Sequence, residues 1–127
     1  IRNAQEIGNK EFAETIYNVR SLCEFDESIY VSCEIGIIKF DQQNLVWSLL
    51  FPSAYYRSKI VNDMIVNKKF IFLGTEDGIV RITKKTGFIR EYYFPFIGNV
   101  NNIELDRNII WMATSNGLLK FKWTREQ

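Results

Sequence analysis

Short runs of mixed apolar and polar positions recur along the chain, each too short for a helix and rich in Ile, Val, Tyr, Phe, Trp and Thr. Such residues suit a pleated, half-buried surface. The pattern predicts strands over Val19–Glu24, Ile29–Cys33, Ile37–Asp41 and Leu45–Phe51, then Val61–Val66, Ile71–Thr75, Ile79–Thr83 and Phe88–Phe94, then Val100–Leu105, Ile110–Thr114 and Leu118–Lys122. Asp77-Gly78 and Asn116-Gly117 read as type I′ hairpin turns, with Ile35-Gly36 in the same place and Thr86-Gly87 before a fourth strand. Phe51-Pro52 and Phe94-Pro95 end the fourth strands alike, because proline donates no ladder hydrogen bond.

The strands repeat in a fixed register. Ile29–Phe40, Ile71–Ile82 and Ile110–Phe121 align without a gap. Each has an aromatic at its second place (Tyr30, Phe72, Trp111) and a small residue at its fourth (Ser32, Gly74, Ala113). Each has glycine at the eighth place and a cation at the eleventh (Lys39, Arg81, Lys120). The glycines are 42 residues apart (36 to 78) and then 39 (78 to 117). Upstream, Val19, Val61 and Val100 align, as do Leu22, Met64 and Ile103. Four strands in about 40 residues, repeated, is the signature of β-propeller blades. The expectation is an all-β chain of three four-stranded antiparallel blades, over residues 19–59, 61–99 and 100–127.

Composition narrows the chemistry. The 127 residues are 46% hydrophobic and 15% aromatic, enough for a packed core. Lys+Arg 16 against Asp+Glu 15 leaves no strong field for nucleic acid, and no apolar run is long enough for membrane insertion as a helix. Histidine is absent, which removes Ser-His-Asp and Cys-His catalysis and histidine metal sites. Cys23 and Cys33 lack metal-site spacing and read as two buried thiols. No catalytic residue, cofactor or metal is expected. The chain opens at Ile1 without an initiator Met, which points to a processed or excised piece.

The third repeat, Asn102–Asp106 followed by Ile110–Leu118, resembles the repeat of two-component-regulator propellers. That pattern runs as an aspartate, a short turn, an apolar-Trp-apolar-Gly-Thr strand, then a polar residue, Gly and Leu. Ala113 replaces its glycine, and Phe72 and Tyr30 replace its Trp. Phe72–Gly78, with Lys84–Gly87 downstream and Val46-Trp47 in the first repeat, is similar to pyrroloquinoline-quinone-like propeller repeats. Outer-membrane assembly scaffolds use that repeat without the cofactor. Both resemblances imply the propeller fold, and neither implies catalytic residues.

Three blades fall short of the roughly four to eight of a propeller. The remaining blades are expected from a longer chain or from a second copy. Residues 1–18, in particular Glu11–Tyr17, could supply a strand closing another blade. Candidate binding residues lie at the hairpin tips (Glu34, Glu76, Asp77, Asn116) and in the connection after the first blade (Tyr55, Tyr56, Arg57). Tyr and Arg are favoured in binding hot spots, and aromatics stack on sugars, or Tyr55 or Tyr56 could simply pack over the blade junction. Glu34 and Glu76 fall at equivalent tips, where paired carboxylates could hold Ca²⁺ or act as acid and base, or could be solvated turn residues. Asn62 and Asn101, aligned with Arg20, could ring a channel mouth or satisfy backbone groups between blades. The function these features imply is non-catalytic binding or scaffolding, periplasmic or at the cell surface, with a protein partner or a small ligand such as a glycan. The alternative is a fragment of a propeller enzyme, of lyase or quinoprotein type, with its catalytic residues elsewhere.

Overall fold

The structure, a computed structural model, describes residues 18–126. They form eleven antiparallel strands, joined by short turns. The first sheet holds β1 (Ser21–Phe25), β2 (Ser28–Cys33), β3 (Gly36–Asp41) and β4 (Val46–Pro52), in that spatial order. The second holds β5 (Val61–Val66), β6 (Phe70–Thr75), β7 (Gly78–Thr83) and β8 (Ile89–Tyr93). The third holds β9 (Val100–Asp106), β10 (Ile109–Thr114) and β11 (Gly117–Lys122). All three are meanders of neighbouring strands. The third has three strands among the described residues, where the sequence also predicts three, and Glu11–Tyr17 lies outside those residues. The chain divides into two compact units, residues 1–59 with the first sheet and residues 60–127 with the other two.

The repeated positions do the same work in each sheet. At the fifth place, Thr75 and Thr114 donate their hydroxyls to the carbonyls of Gly78 and Gly117, at 3.0 and 2.7 Å. Cys33 does this with its thiol, which reaches the Gly36 carbonyl at 3.5 Å. The turn between the middle strands is therefore pinned from one side. The glycine that follows is the first residue of the return strand, and it alone takes a positive φ at the tip. This corrects the type I′ reading of Asp77-Gly78 and Asn116-Gly117, which needs positive φ at both residues. At Gly36 and Gly78 the fourth strand adds a second reason for glycine. A Cβ on Gly36 would lie 2.1 Å from the Phe51 carbonyl oxygen, and one on Gly78 would lie 2.0 Å from that of Tyr92. At Gly117, beside which no fourth strand is described, nothing lies within 4 Å. Paired positive φ values occur elsewhere, at Asp26 and Glu27 in the two-residue turn from β1 to β2.

In the first unit, Cys33 and Ile38 form a buried cluster with Ile35, Trp47 and Leu49 against it. Trp47 also lies across from Phe40, with ring centroids 4.3 Å apart. Tyr56 is 2% exposed, which takes it out of the candidate binding surface. Burial, and secondarily Cys33 beside it, push its hydroxyl up to about 12 from the usual 10.0. Cys33 is buried and Cys23 half-buried, so only the first fits the expectation of two buried thiols. The β1–β2 register pairs Cys23 with Tyr30 and leaves Cys33 beyond Ser32, so both thiols are free.

In the second unit, the second sheet packs on the third. A Cβ on Gly74 would come within 3.1 Å of both Val100 and Ile103, so only a minimal side chain fits there. Asp63 accepts the Ile103 N–H at 2.8 Å, and Asn62 donates to the Val100 carbonyl at 3.0 Å. For Asn62 this settles the choice between a channel ring and backbone pairing between sheets. Phe72, Ile79, Val100, Ile103, Ile110, Met112 and Trp123 are buried together. Each such side chain contributes about 1.5–3 kcal/mol of hydrophobic stabilisation.

The aligned cations are not equivalent. Each lies across from the aromatic of its own repeat: Tyr30 with Lys39, Phe72 with Arg81, Trp111 with Lys120. Lys39 and Lys120 sit over those rings at 5.8 and 5.5 Å, as half-buried and exposed side chains. Arg81, by contrast, is 4% exposed. Its guanidinium carbon lies 4.9 Å from the Phe70 ring and 5.5 Å from the Trp123 ring. Its Nε and Nη1 meet no hydrogen-bond acceptor, and Arg90 stands opposite on β8. The rings return about 2 kcal/mol or more at a desolvated site. Two buried N–H groups of a cation without acceptors cost about 1–3 kcal/mol each, or more, so the balance falls against the cation.

Three outcomes follow for denaturation measurements. Arg81→Met raises the urea midpoint, whereas a fall would show that the ring contacts outweigh desolvation. Gly117→Ala costs about 1–2 kcal/mol from conformation alone. Gly78→Ala must also displace β8 and costs about 4 kcal/mol or more; equal losses would refute the close-approach argument. The Tyr56 contribution is complete below its unfolded pKa of 10.0 and is lost as pH rises toward about 12. Ultraviolet titration therefore finds Tyr56 ionising late, together with Tyr30, whose hydroxyl burial and then Asp26 also push up, and Tyr56→Phe reduces the alkaline fall in stability.

Candidate functional site: hairpin tips and connecting loops

In the first unit, the tip Glu34-Ile35 and the connection after β4 are tied together. The Ser53 N–H donates to the Ile35 carbonyl at 2.9 Å. A 3-10 turn over Ser53–Tyr56 follows, and Arg57 and Ser58 then take left-handed φ values of 59 and 53°. This turn sends neighbouring tyrosines in opposite directions. Tyr56 goes into the interior, and Tyr55 stays 40% exposed, stacked on Phe51 with centroids 5.0 Å apart. Arg57 is exposed beside it. Tyr55 is therefore propped at the surface by a ring beneath it, which limits the rotamer freedom lost when something stacks on it.

Glu34 and Glu76 each act as a tie within their own sheet. Glu34 accepts from the Asn18 side chain at 2.5 Å, and Glu76 accepts the Ile60 N–H at 3.1 Å. Asn18 and Ile60 are register equivalents just ahead of the first strand of each sheet. Each carboxylate thus fastens its tip to the start of its own sheet. Asp77 is half-buried, accepts from the Thr75 hydroxyl at 3.2 Å and gives its carbonyl to the Phe94 N–H at 2.8 Å. Among the described residues, no three His, Cys, Asp or Glu side chains are placed to hold a metal ion.

The third tip is built against the connection after β8. Ser115 donates its N–H to the Asn99 carbonyl at 3.0 Å, and the Asn116 amide donates to the Phe96 carbonyl at 3.1 Å. The short turn Pro95–Ile97 holds Phe96 at 73% exposure and buries Ile97 at 6%. Both connections therefore show one design: an exposed aromatic (Tyr55, Phe96) followed at once by a buried anchor (Tyr56, Ile97). Phe96 is absent from the sequence-derived candidates. The two aromatics stand three and one residues after their prolines, so gap-free alignment hides their correspondence.

Of the proposed residues, Tyr55, Arg57, Glu34, Glu76 and Asn116 are exposed, Asp77 is half-buried and Tyr56 is buried. Glu34, Tyr55 and Arg57 belong to the first unit, and Glu76, Asp77, Asn116 and Phe96 to the second.

No protein-family model and no curated protein matches the chain. Solved structures do resemble it. The extracellular domain of the putative one-component system BT4673 from B. thetaiotaomicron matches over 87% of this chain, with TM-score 0.66 and 19% identity. The computationally designed Ika4 protein matches over 82%, with TM-score 0.63 and 13% identity. BamB from Moraxella catarrhalis matches over 78%, with TM-score 0.59 and 15% identity. The chain spans 16%, 65% and 30% of those three chains. At these identities the likeness is one of fold, and the fold is all-β, of propeller-blade type.

Proposed function

We propose that the chain is a non-catalytic binding module whose recognition surfaces are the connecting loops, and that its first ligand class is the glycan. One observation carries the reading: each described connection after a fourth strand exposes a single aromatic and buries the residue after it. An anchored loop on a rigid sheet loses little entropy on binding, and loops on rigid scaffolds are where recognition concentrates. Tyr55 on Phe51, with Arg57 beside it, offers a flat ring and a cation. Phe96 beside Asn116 offers a ring and an amide. A sugar face stacks on the ring, and its hydroxyls bond to the polar neighbour. The absence of histidine from the sequence speaks for binding over turnover. An extracytoplasmic setting, periplasmic or at the cell surface, fits the likeness to an extracellular one-component-system domain. No helix of the described residues is long and apolar enough to cross a membrane.

The test is an array of neutral and acidic oligosaccharides, with each retained sugar then titrated calorimetrically. Tyr55→Ala or Phe96→Ala weakens binding by about 30-fold, the size of a hot-spot loss of about 2 kcal/mol, with the melting temperature unchanged. An array without retained sugars, or binding unaffected by both substitutions, would sink the glycan reading. Cleavage of a retained sugar would sink the non-catalytic one.

A further inference from the structure

The three repeats place the same residues at the same positions, so differences in exposure report which sheet faces lack a neighbour. One face carries the valine and aliphatic residue of the first strand. In the second and third repeats these are buried: Val61 3%, Met64 2%, Val100 0% and Ile103 3% exposed. In the first repeat Val19 is 44% and Leu22 63% exposed. The other face carries the small residue of the second strand and the first apolar residue of the third. In the first two repeats Ser32, Ile37 and Ile79 are at most 1% exposed, and Gly74 is buried. In the third repeat Leu118 is 71% exposed and Ala113 is exposed with it.

The second unit shows what these faces fit. There the small residue Gly74 seats against Val100 and Ile103, and Asn62 and Asp63 bond to the backbone of Val100 and Ile103. Val19 and Leu22 are the register equivalents of Val100 and Ile103. Ala113 corresponds to Gly74, and Asn101 and Asn102 to Asn62 and Asp63. Asn101 and Asn102 are both exposed. The described residues therefore carry both halves of an interface that the second unit already makes once, and leave one copy of each half exposed.

We infer that the open face of the third sheet (Ala113, Leu118, Asn101, Asn102) docks the Val19–Leu22 face of a second copy of this chain. The contact is head to tail, not isologous, because the two halves differ. Two copies joined reciprocally satisfy both open faces. They bring together six sheets, inside the range of about four to eight for assemblies of such sheets.

The experiment is light scattering on the purified chain at tens of micromolar, with Leu118→Asp and Leu22→Asp variants. The wild type gives twice the 15.0 kDa chain mass, and each variant gives the chain mass. Mixing the two variants restores the doubled mass, because one interface in the pair then has wild-type residues on both sides. Circular dichroism melts confirm folding, and Ala113→Arg replaces Leu118→Asp if that variant melts early. A monomeric wild type overturns the inference and assigns the open faces to sheets outside this chain. A dimer that survives either substitution, or a mixture that stays monomeric, overturns it as well.

Discussion

The contact of Gly74 with Val100 and Ile103 sets what the second unit can be. An antiparallel sheet of Ile, Val and Phe has apolar residues on both faces, and a meander cannot fold back to cover itself. The remaining solution is a neighbouring sheet laid face to face. That demands a small residue at the point of closest approach, and polar groups at the rim to take up backbone N–H and C=O groups that lose water. Gly74, Asp63 and Asn62 meet these demands together. Buried Phe72, Ile79 and Met112 are consequences of that closeness more than independent causes.

Trp123 shows the same constraint at the outer end of the sheets. Its ring meets Phe70 and Phe72 edge-on, and its indole N–H reaches the Arg107 carbonyl at 3.3 Å. It helps to enclose Arg81. A cation placed to ride an aromatic on an open sheet, as Lys120 does on Trp111, thus becomes a sealed cation once a second sheet arrives.

Much of this was legible in the residues. β-branched runs and turn chemistry placed the strands within a few positions, because cross-strand pairing enforces a period of two and a narrow range of lengths. The repeat revealed which positions are equivalent. Equivalence of sequence is not equivalence of environment, and here legibility stopped. Nothing local separates Arg81 from Lys120, since the difference is whether a neighbour covers the face. Tyr55 and Tyr56 are adjacent and identical in type, and only the 3-10 turn decides which goes inside. Phe96 escaped notice because the loops differ in length while the strands do not. The glycines were recognised for part of their reason: positive φ was foreseen, and the carbonyl of the fourth strand beside Gly36 and Gly78 was not.

Cys33 occupies the place of Thr75 and Thr114 and pins its turn with a sulfur in place of an oxygen. Burial holds its thiol above the ordinary range, so it is a poor nucleophile and is slow to oxidise. Cys23 lies on another strand, out of register with it. No covalent link closes this fold, and none is required by it. The fold therefore holds no disulfide for a reductant to break.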